Sequence, residues 1–309
     1  MPVLADETNA DPAVAEAGDA PVKKKMRRLL PSSVSKRAES NAPGTVRFSG
    51  RIVYCSTEKA VEDACSRLLE HPRVSALGFD LEWRIFFKKG DANIGKTALV
   101  QFCASVGEND LGPLAALPWT FVDEKVRRLE SGREYLCFLL HIHHAGVPQA
   151  LKDVLTSTRY VFAFLARSLA LDAILSTASP SSALPADARL WFLWRRIKKY
   201  GVNVNCDFIK MEKDHGVRIE GGADLCHLAA RLPRMVKRFG PDSKLSFSLA
   251  DLCALFLSGR GMDKASQVRL GNWEKEGLDY PAKKYAATDA YVGLRVAERI
   301  IEEEERSSL

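Results

Sequence analysis

The 309-residue sequence has no C-x-x-C pair, no G-x-x-x-x-G-K-[ST] loop and no long uninterrupted apolar run. Each absence excludes something. The seven cysteines (Cys55, Cys65, Cys103, Cys137, Cys206, Cys226 and Cys253) are scattered and odd in number. They read as free thiols of a reducing compartment, not as a disulfide framework or a zinc ribbon. His141, His143 and His144 cluster near Cys137. Without a tight ligand pair beside them, they read as a strand end of mixed burial, not a metal centre. The missing phosphate-binding loop rules out a P-loop motor of that signature. The longest apolar stretch, 161–175, is interrupted by Arg167 and Asp172. It is too short and too charged to span a bilayer, and no membrane association is expected. The start of the chain has no basic run leading into an apolar one, so no secretory signal is expected.

Hydrophobic residues make up 46% of the chain and charged residues 27%, as in a soluble globular protein with a real core. The length suits one large domain with extensions, or two small ones. A net charge of +6 and a pI near 8.9 are compatible with a phosphate-rich partner, but many proteins without one share them. Residues 1–45 are rich in Ala, Asp, Glu, Pro and Ser and read as a disordered tail. Within it, Lys23-Lys24-Lys25-Met26-Arg27-Arg28 is either a solvated charge run or a nuclear address or nucleic-acid anchor. Nuclear localisation is the expectation, with the cytoplasm as the alternative.

From residue 46 the pattern becomes that of a folded domain, expected to run to about 305. Strands are expected over 46–55, 74–83, 97–104, 135–142 and 201–205. A helix is expected over 57–70, with Thr57 as its cap, and another over 147–155. Asp207 is expected to start a helix reaching about His215. The last third reads as helical, over 224–239, 246–257 and 282–305. Strands first and helices later predict an α/β domain with a mixed sheet covered by helices. Two stretches resist assignment: 110–133 has no clear period, and 161–197 carries Pro180, Ser181, Ser182 and Pro185. Structureless loops of that length are uncommon inside a compact domain.

Three local patterns carry chemistry. In Gly78-Phe79-Asp80-Leu81-Glu82-Trp83, residues two apart on a strand share a face, so Asp80 and Glu82 stand side by side while Phe79 and Leu81 face the core. Two adjacent carboxylates repel, and a hard divalent cation removes the repulsion. In Lys284-Tyr285-Ala286-Ala287-Thr288-Asp289, Tyr285 and Asp289 are one helical turn apart on one face. The small alanines let that helix pack closely. In Gly201-Val202-Asn203-Val204-Asn205-Cys206-Asp207, a short strand turns into a helix with Asp207 near its start. Singly, each pattern has an ordinary reading: a solvated strand face, an amphipathic helix with one buried Tyr, a helix cap.

In that order along one chain, the three patterns resemble the DEDD 3′→5′ exonucleases of the tyrosine subclass. Residues 77–83, the run Gly95-Lys96-Thr97-Ala98-Leu99-Val100-Gln101-Phe102-Cys103, residues 140–149 and Arg269-Leu270-Gly271-Asn272-Trp273 are similar to one branch, the exonuclease domain of the Werner syndrome protein and its plant homologues. The resemblance covers about 46–300 apart from the two unassigned stretches. It implies a ribonuclease-H-like mixed sheet flanked by helices, with a helical C-terminal third. It also implies two divalent ions, Mg²⁺ or Mn²⁺, held by Asp80, Glu82, Asp207 and Asp289, with Tyr285 orienting the attacking water. Nucleoside 5′-monophosphates would be released from the 3′ ends of nucleic acid, DNA above all. Trp83 and Phe86 would flank the terminal base, while Arg84, Lys88, Lys89 and Lys96 would steer phosphates. Arg269, Asn272 and Trp273 match a segment near the site without a defined role.

The chain departs from that family in two ways. Asn203 and Cys206 stand where glycines are usual, and Cys206 could crowd a metal beside Asp207. The stretches at about 110–133 and 161–197 are atypical insertions, either lineage-specific or translated from retained introns. Two alternatives therefore stand beside DNA exonuclease: an RNA-trimming enzyme resembling ribonuclease D, and a catalytically impaired nucleic-acid-binding or scaffold protein.

Overall fold

A computed structural model describes residues 44–88, 91–107, 110–121, 132–156, 197–241, 245–262 and 266–308. Its strands are β1 (Thr45–Val46), β2 (Arg51–Cys55), β3 (Ala76–Lys88), β4 (Asp91–Gly107), β5 (Thr120–Phe121), β6 (Arg133–Leu140), β7 (Lys198–Gly201), β8 (Gly222–Asp224) and β9 (Gly261–Met262). Its helices are α1 (Glu58–Glu70), α2 (Ile142–Ala145), α3 (Gln149–Thr156), α4 (Val204–His215), α5 (Leu225–Ala230), α6 (Pro233–Phe239), α7 (Leu249–Phe256), α8 (Ser266–Arg269) and α9 (Tyr280–Ser307).

Seven strands form one mixed sheet in the order β5-β2-β6-β4-β3-β7-β8, while β1 and β9 pair separately. β4 runs antiparallel to both of its neighbours, and β3, β7 and β8 are mutually parallel. This is the expected mixed sheet flanked by helices, with a helical C-terminal third. The period-2 alternation of the strands divides the core into two layers. On one side, Leu99, Cys137 and Leu139 pack against α5, α7 and α9 through Leu225, Leu252, Ala286 and Ala290. On the other, Phe79, Leu81 and Phe102 pack against α1, α3 and α4 through Val61, Leu151 and Met211.

Several expected elements differ in extent. The strand over 46–55 is interrupted, because Phe48 turns into the α9 layer. Its N–H is taken by Thr288 Oγ1 at 3.1 Å, and its ring lies 5.4 Å from Tyr291. β3 and β4 run well past the expected 74–83 and 97–104 and pair to their ends as a hairpin. The helix over 224–239 breaks before Pro233, which has no N–H to continue a ladder and opens α6 instead. The short strand expected over 201–205 ends at Gly201, and α4 starts at Val204. Part of the 110–133 stretch is ordered: a 3-10 turn at Gly112–Ala116 buries Leu114 and leads to β5, the edge strand. Residues 1–43, 122–131 and 157–196 lie outside the described residues, and with them the tail and most of the second stretch.

Closest approach decides where α9 sits. A Cβ on Gly78 would fall 1.9 Å from Ala290 O, and one on Gly201 would fall 2.6 Å from Phe79 O. In both places backbone meets backbone, so neither neighbour can swing aside. Gly78→Ala should therefore cost about 1–3 kcal/mol or more in urea unfolding, the usual penalty of overpacking. Gly261→Ala, whose Cβ would meet nothing within 4 Å, should leave the midpoint unchanged.

The flanks of 157–196 are tied to one another. Leu155 O, at the end of α3, accepts from Lys199 Nζ at 2.9 Å and from Glu220 N at 3.0 Å. Loop closure costs only about 0.6 kcal/mol per doubling of length. Replacing residues 158–195 by a short Gly-Ser linker should thus leave the melting temperature within about 5 °C. A collapse of the thermal transition would show that the segment is integral to the fold.

Candidate active site

β3 delivers the first two carboxyls as its pleat requires. Gly78, Asp80 and Glu82 face α9, and Phe79 and Leu81 enter the opposite core layer. Immediately beyond Glu82 the ladder slips: Glu82 pairs with Leu99 but Trp83 with Thr97, leaving Ala98 as the extra residue of a bulge. The main chain freed at Thr97 bonds to α4. Asp214 Oδ2 accepts from Thr97 N at 2.6 Å and from Thr97 Oγ1 at 2.9 Å, and His215 Nε2 donates to Thr97 O at 3.0 Å. Lys210 completes the clamp. Its Nζ lies 2.8 Å from Asp214 Oδ2, donates to Gly95 O at 2.9 Å and stands 4.8 Å over the Trp83 ring. Burial raises the Asp214 carboxyl, but hydrogen bonds from Lys210 and Thr97 outweigh it and hold the group below its ordinary value.

The clamp matters because α4 also carries Asp207. Asn203 precedes that helix in the left-handed region at φ 57°, a conformation Asn tolerates. Its N–H is held by Asp224 Oδ2 at 2.6 Å, while Asp224 Oδ1 accepts from Cys226 N at 2.8 Å. With the turn fixed there, Asp207 falls in the first turn of α4 and is buried, whereas Cys206 is exposed.

α9 supplies the remaining groups. Asp279 caps it by accepting from Ala282 N at 2.9 Å, and Pro281 occupies its first turn, where no N–H is needed. Tyr285 and Asp289 share a face one turn apart and act on each other's protonation, and the Tyr285 ring lies 6.2 Å from that of Trp273.

Carboxylate oxygens of Asp80, Glu82 and Asp289 all lie within 4.8 Å of one another. Asp207 adds its charge from the α4 side, close enough to act on both Asp80 and Glu82. Burial, then mutual repulsion, raises these groups. Asp207 is pushed up to about 8 by burial, Asp80 and Asp224. Asp289 reaches about 8 through burial and Asp80, and Asp80 reaches about 6 through burial against the opposing pull of Leu81 N–H and Arg269. Glu82 is raised well above its usual range by burial and then by Asp80 and Asp289. The Tyr285 phenol is also raised, by burial and the Asp289 charge, and stays a hydrogen-bond donor at neutral pH.

Directly across from Asp80 on β4 stands Gln101, wholly buried, with neither its amide N nor its amide O hydrogen-bonded to any described residue. A buried amide left without partners is costly and marks a place where an ion or its water belongs. An oxygen-only donor set beside such an amide fits hard divalent cations of the Mg²⁺ or Mn²⁺ kind.

The expected substrate contacts are placed unevenly. Phe86 is exposed, with the Arg84 guanidinium 5.6 Å from its ring centre. Arg84 is paired with Glu274 at 3.4 Å, and one face of Trp83 is covered by Lys210. Lys96 is exposed; the side chains of Lys88 and Lys89 lie outside the described set. Sequence reasoning did not find Thr97, Asp214, Asp224 or Gln101. Only the Lys210–Asp214 spacing of one helical turn hinted at any of them.

Carboxyls gathered beside a phenol are the donor set that a metal-dependent hydrolytic centre uses. The sequence comparisons agree. A family model described as 3'-5' exonuclease matches residues 174–304, the part holding Asp207, Tyr285 and Asp289. An Arabidopsis thaliana protein named 3'-5' exonuclease is 26% identical over 283 residues, covering 86% of this chain and 72% of that protein. The Mus musculus bifunctional 3'-5' exonuclease/ATP-dependent helicase WRN is 25% identical over 85% of this chain, which spans 13% of that protein. Among solved structures, the Aedes aegypti Nibbler EXO domain aligns over 84% of this chain and 90% of its own, at 16% identity and a TM-score of 0.45. Escherichia coli RNase D aligns over 83% of this chain and 46% of its own, at 16% identity and a TM-score of 0.47. Residues 174–304 match the 3'-5' exonuclease family, and with the relatives of that name this makes the chain a nuclease with 3′-5′ exonuclease activity.

The raised carboxyls fix a pH dependence. Asp80, Asp207 and Asp289 keep protons in the folded, metal-free protein that the unfolded chain releases near pH 4. Their stabilisation is complete below that pH and is lost as pH rises through about 6 to about 8. In chelator, the melting temperature should fall from pH 6 to pH 8.5. Saturating Mn²⁺ should abolish the fall and add about 2.7 kcal/mol at a hundredfold excess over its dissociation constant. Titration calorimetry at pH 6.5 in buffers of different ionisation enthalpy should register proton release on Mn²⁺ uptake. A chelator-treated protein with flat stability across that range would contradict the clustering.

Proposed function

We propose that this chain degrades DNA from its 3′ end and that Asp80, Glu82, Asp207, Tyr285 and Asp289 do the work. The observation that carries this reading is the convergence of Asp80, Glu82 and Asp289 within 4.8 Å, with Asp207 acting on the group from α4 and Tyr285 one helical turn from Asp289. Asp80, Glu82, Asp207 and Asp289 would hold two divalent cations, which when bound supply Lewis-acid stabilisation of the attacking and leaving oxygens. The protein's own part is placement. Tyr285, kept protonated by burial and Asp289, orients the attacking water by hydrogen bonding. The Thr97–Asp214–Lys210 clamp holds Asp207 in register with Glu82. Phe86 offers an exposed apolar ring for the terminal base, and Lys96 a free-standing positive charge on the same hairpin. The products are nucleoside 5′-monophosphates.

DNA is preferred over RNA because relatives 25–26% identical across 85–86% of this chain are the plant 3'-5' exonuclease and the mouse exonuclease/helicase protein. The same likeness supports a repair-associated role beside a helicase on another chain. The basic run 23–28 supports a nuclear location.

The test is a time course on 5′-labelled, 3′-recessed duplex DNA and on RNA of the same sequence, with Mg²⁺ or Mn²⁺. Wild type should produce a ladder shortening from the 3′ end of DNA. Asp80→Asn should slow it by about 1000-fold, several kcal/mol of lost charge stabilisation. Tyr285→Phe should slow it by about 100-fold. Faster shortening of RNA would transfer the assignment to an exoribonuclease, and a folded but inactive wild type would favour the impaired binding protein.

A further inference from the structure

Most cations near the site are already engaged. Arg84 pairs with Glu274, and Lys210 is bound to Asp214, Gly95 O and the Trp83 ring. Arg269 differs. It ends α8, is exposed, and its guanidinium makes no hydrogen bond or ion pair with any described residue. It nevertheless lies beside the cluster: Trp273, which bonds to its carbonyl, has its ring 6.2 Å from that of Tyr285, and the Arg269 charge acts on Asp80, Glu82 and Asp289 together. An arginine this close to three carboxyls would be expected to collapse onto one of them. Its main chain is held instead. Trp273, 1% exposed, donates its indole N–H to Arg269 O at 3.2 Å, and Gly271 N donates to Val268 O at 2.9 Å. Trp273 O in turn accepts from His141 Nε2 at 2.8 Å, and Tyr54 OH bonds to the other ring nitrogen of His141. The segment 269–273 is thus fixed, and the guanidinium stands off the carboxyls beyond ion-pair distance.

We propose that Arg269 is a substrate-contacting residue that takes the non-bridging oxygens of the phosphodiester at the mouth of the carboxylate cluster. Charge balance favours this. Once two divalent cations neutralise the four carboxylates, Arg269 has no charge left to answer inside the site, and one phosphodiester supplies the missing negative charge. A planar guanidinium with a fixed fork of donors matches two phosphate oxygens, where an ammonium offers only a point charge. The same stand-off explains why the arginine does not compete with metal for Asp80. The proposal rests on the carboxylate cluster being the cleavage site.

The experiment compares wild type, Arg269→Ala, Arg269→Lys and Asp80→Asn in three assays: Mn²⁺ binding alone, binding of a deoxynucleoside 5′-monophosphate in the presence of Mn²⁺, and steady-state cleavage of the recessed duplex. Arg269→Ala should bind Mn²⁺ no more weakly than wild type. Its nucleotide affinity and kcat/KM should each fall about 10- to 100-fold, the range for hydrogen bonds to a charged group. Arg269→Lys should recover part of the loss, and free guanidinium added to Arg269→Ala should recover more than added ammonium. A merely structural arginine would lower Mn²⁺ affinity too and would not be rescued. If Asp80→Asn is inactive while Arg269→Ala binds nucleotide and cleaves like wild type, the proposal is overturned and the site assignment stands. If Asp80→Asn cleaves as well as wild type, the site assignment falls and takes this proposal with it.

Discussion

The close approach of α9 to β3 at Gly78 is the constraint on which the rest depends. Asp80 and Glu82 lie on the strand, and Tyr285 and Asp289 on the helix. Their carboxyls meet only because the backbone at Gly78 touches the backbone at Ala290 with no side chain between. Ala286, Ala287 and Ala290 are all buried in that seam, so the helix contributes small side chains where the strand contributes none. Apolar burial on both sheet faces provides the force that holds the layers together. The glycine sets their separation, and that separation sets how strongly the carboxyls repel.

Repulsion of that kind must be held in place. Metal-free, the cluster works against the fold at neutral pH and above, and the restraints around it are correspondingly dense. Four ties converge on α4: Asp214 on Thr97, His215 on Thr97 O, Lys210 on Gly95 O, and Asp224 on the turn at Asn203. Asp224 also raises Asp207, so the residue that fixes the turn adds to the charge problem. Crowding of this kind raises affinity for a cation, because every carboxyl held near another favours the ion that separates them.

Much of this was legible in the residues. Period-2 alternation placed Asp80 and Glu82 on one face and Phe79 and Leu81 on the other. The one-turn spacing of Tyr285 and Asp289 placed them together, and the alanines between them announced close packing. Other features had no local signature. The bulge at Ala98 follows from Asp214, more than a hundred positions later, competing for Thr97 N–H. The full length of β3 and β4 depends on each strand pairing with the other, because beyond Trp83 and before Thr97 neither carries a clean apolar alternation. Arg269 was visible as part of a matching segment, but its stand-off depends on Trp273, His141 and Tyr54, which no spacing connects.

α9 is 28 residues long, about 42 Å at the rise of an ideal helix. Its first turns hold Tyr285 and Asp289, its middle is buried from Ala286 to Ile300, and its last turns pair Glu303 with Arg234 and Glu304 with Arg231. A helix tied down along its whole length does not fray at one end independently of the other. The amide hydrogens around Asp289 should therefore exchange with solvent slowly, through wide opening of the domain, so that the Asp289 carboxyl belongs to its rigid interior and not to a mobile rim.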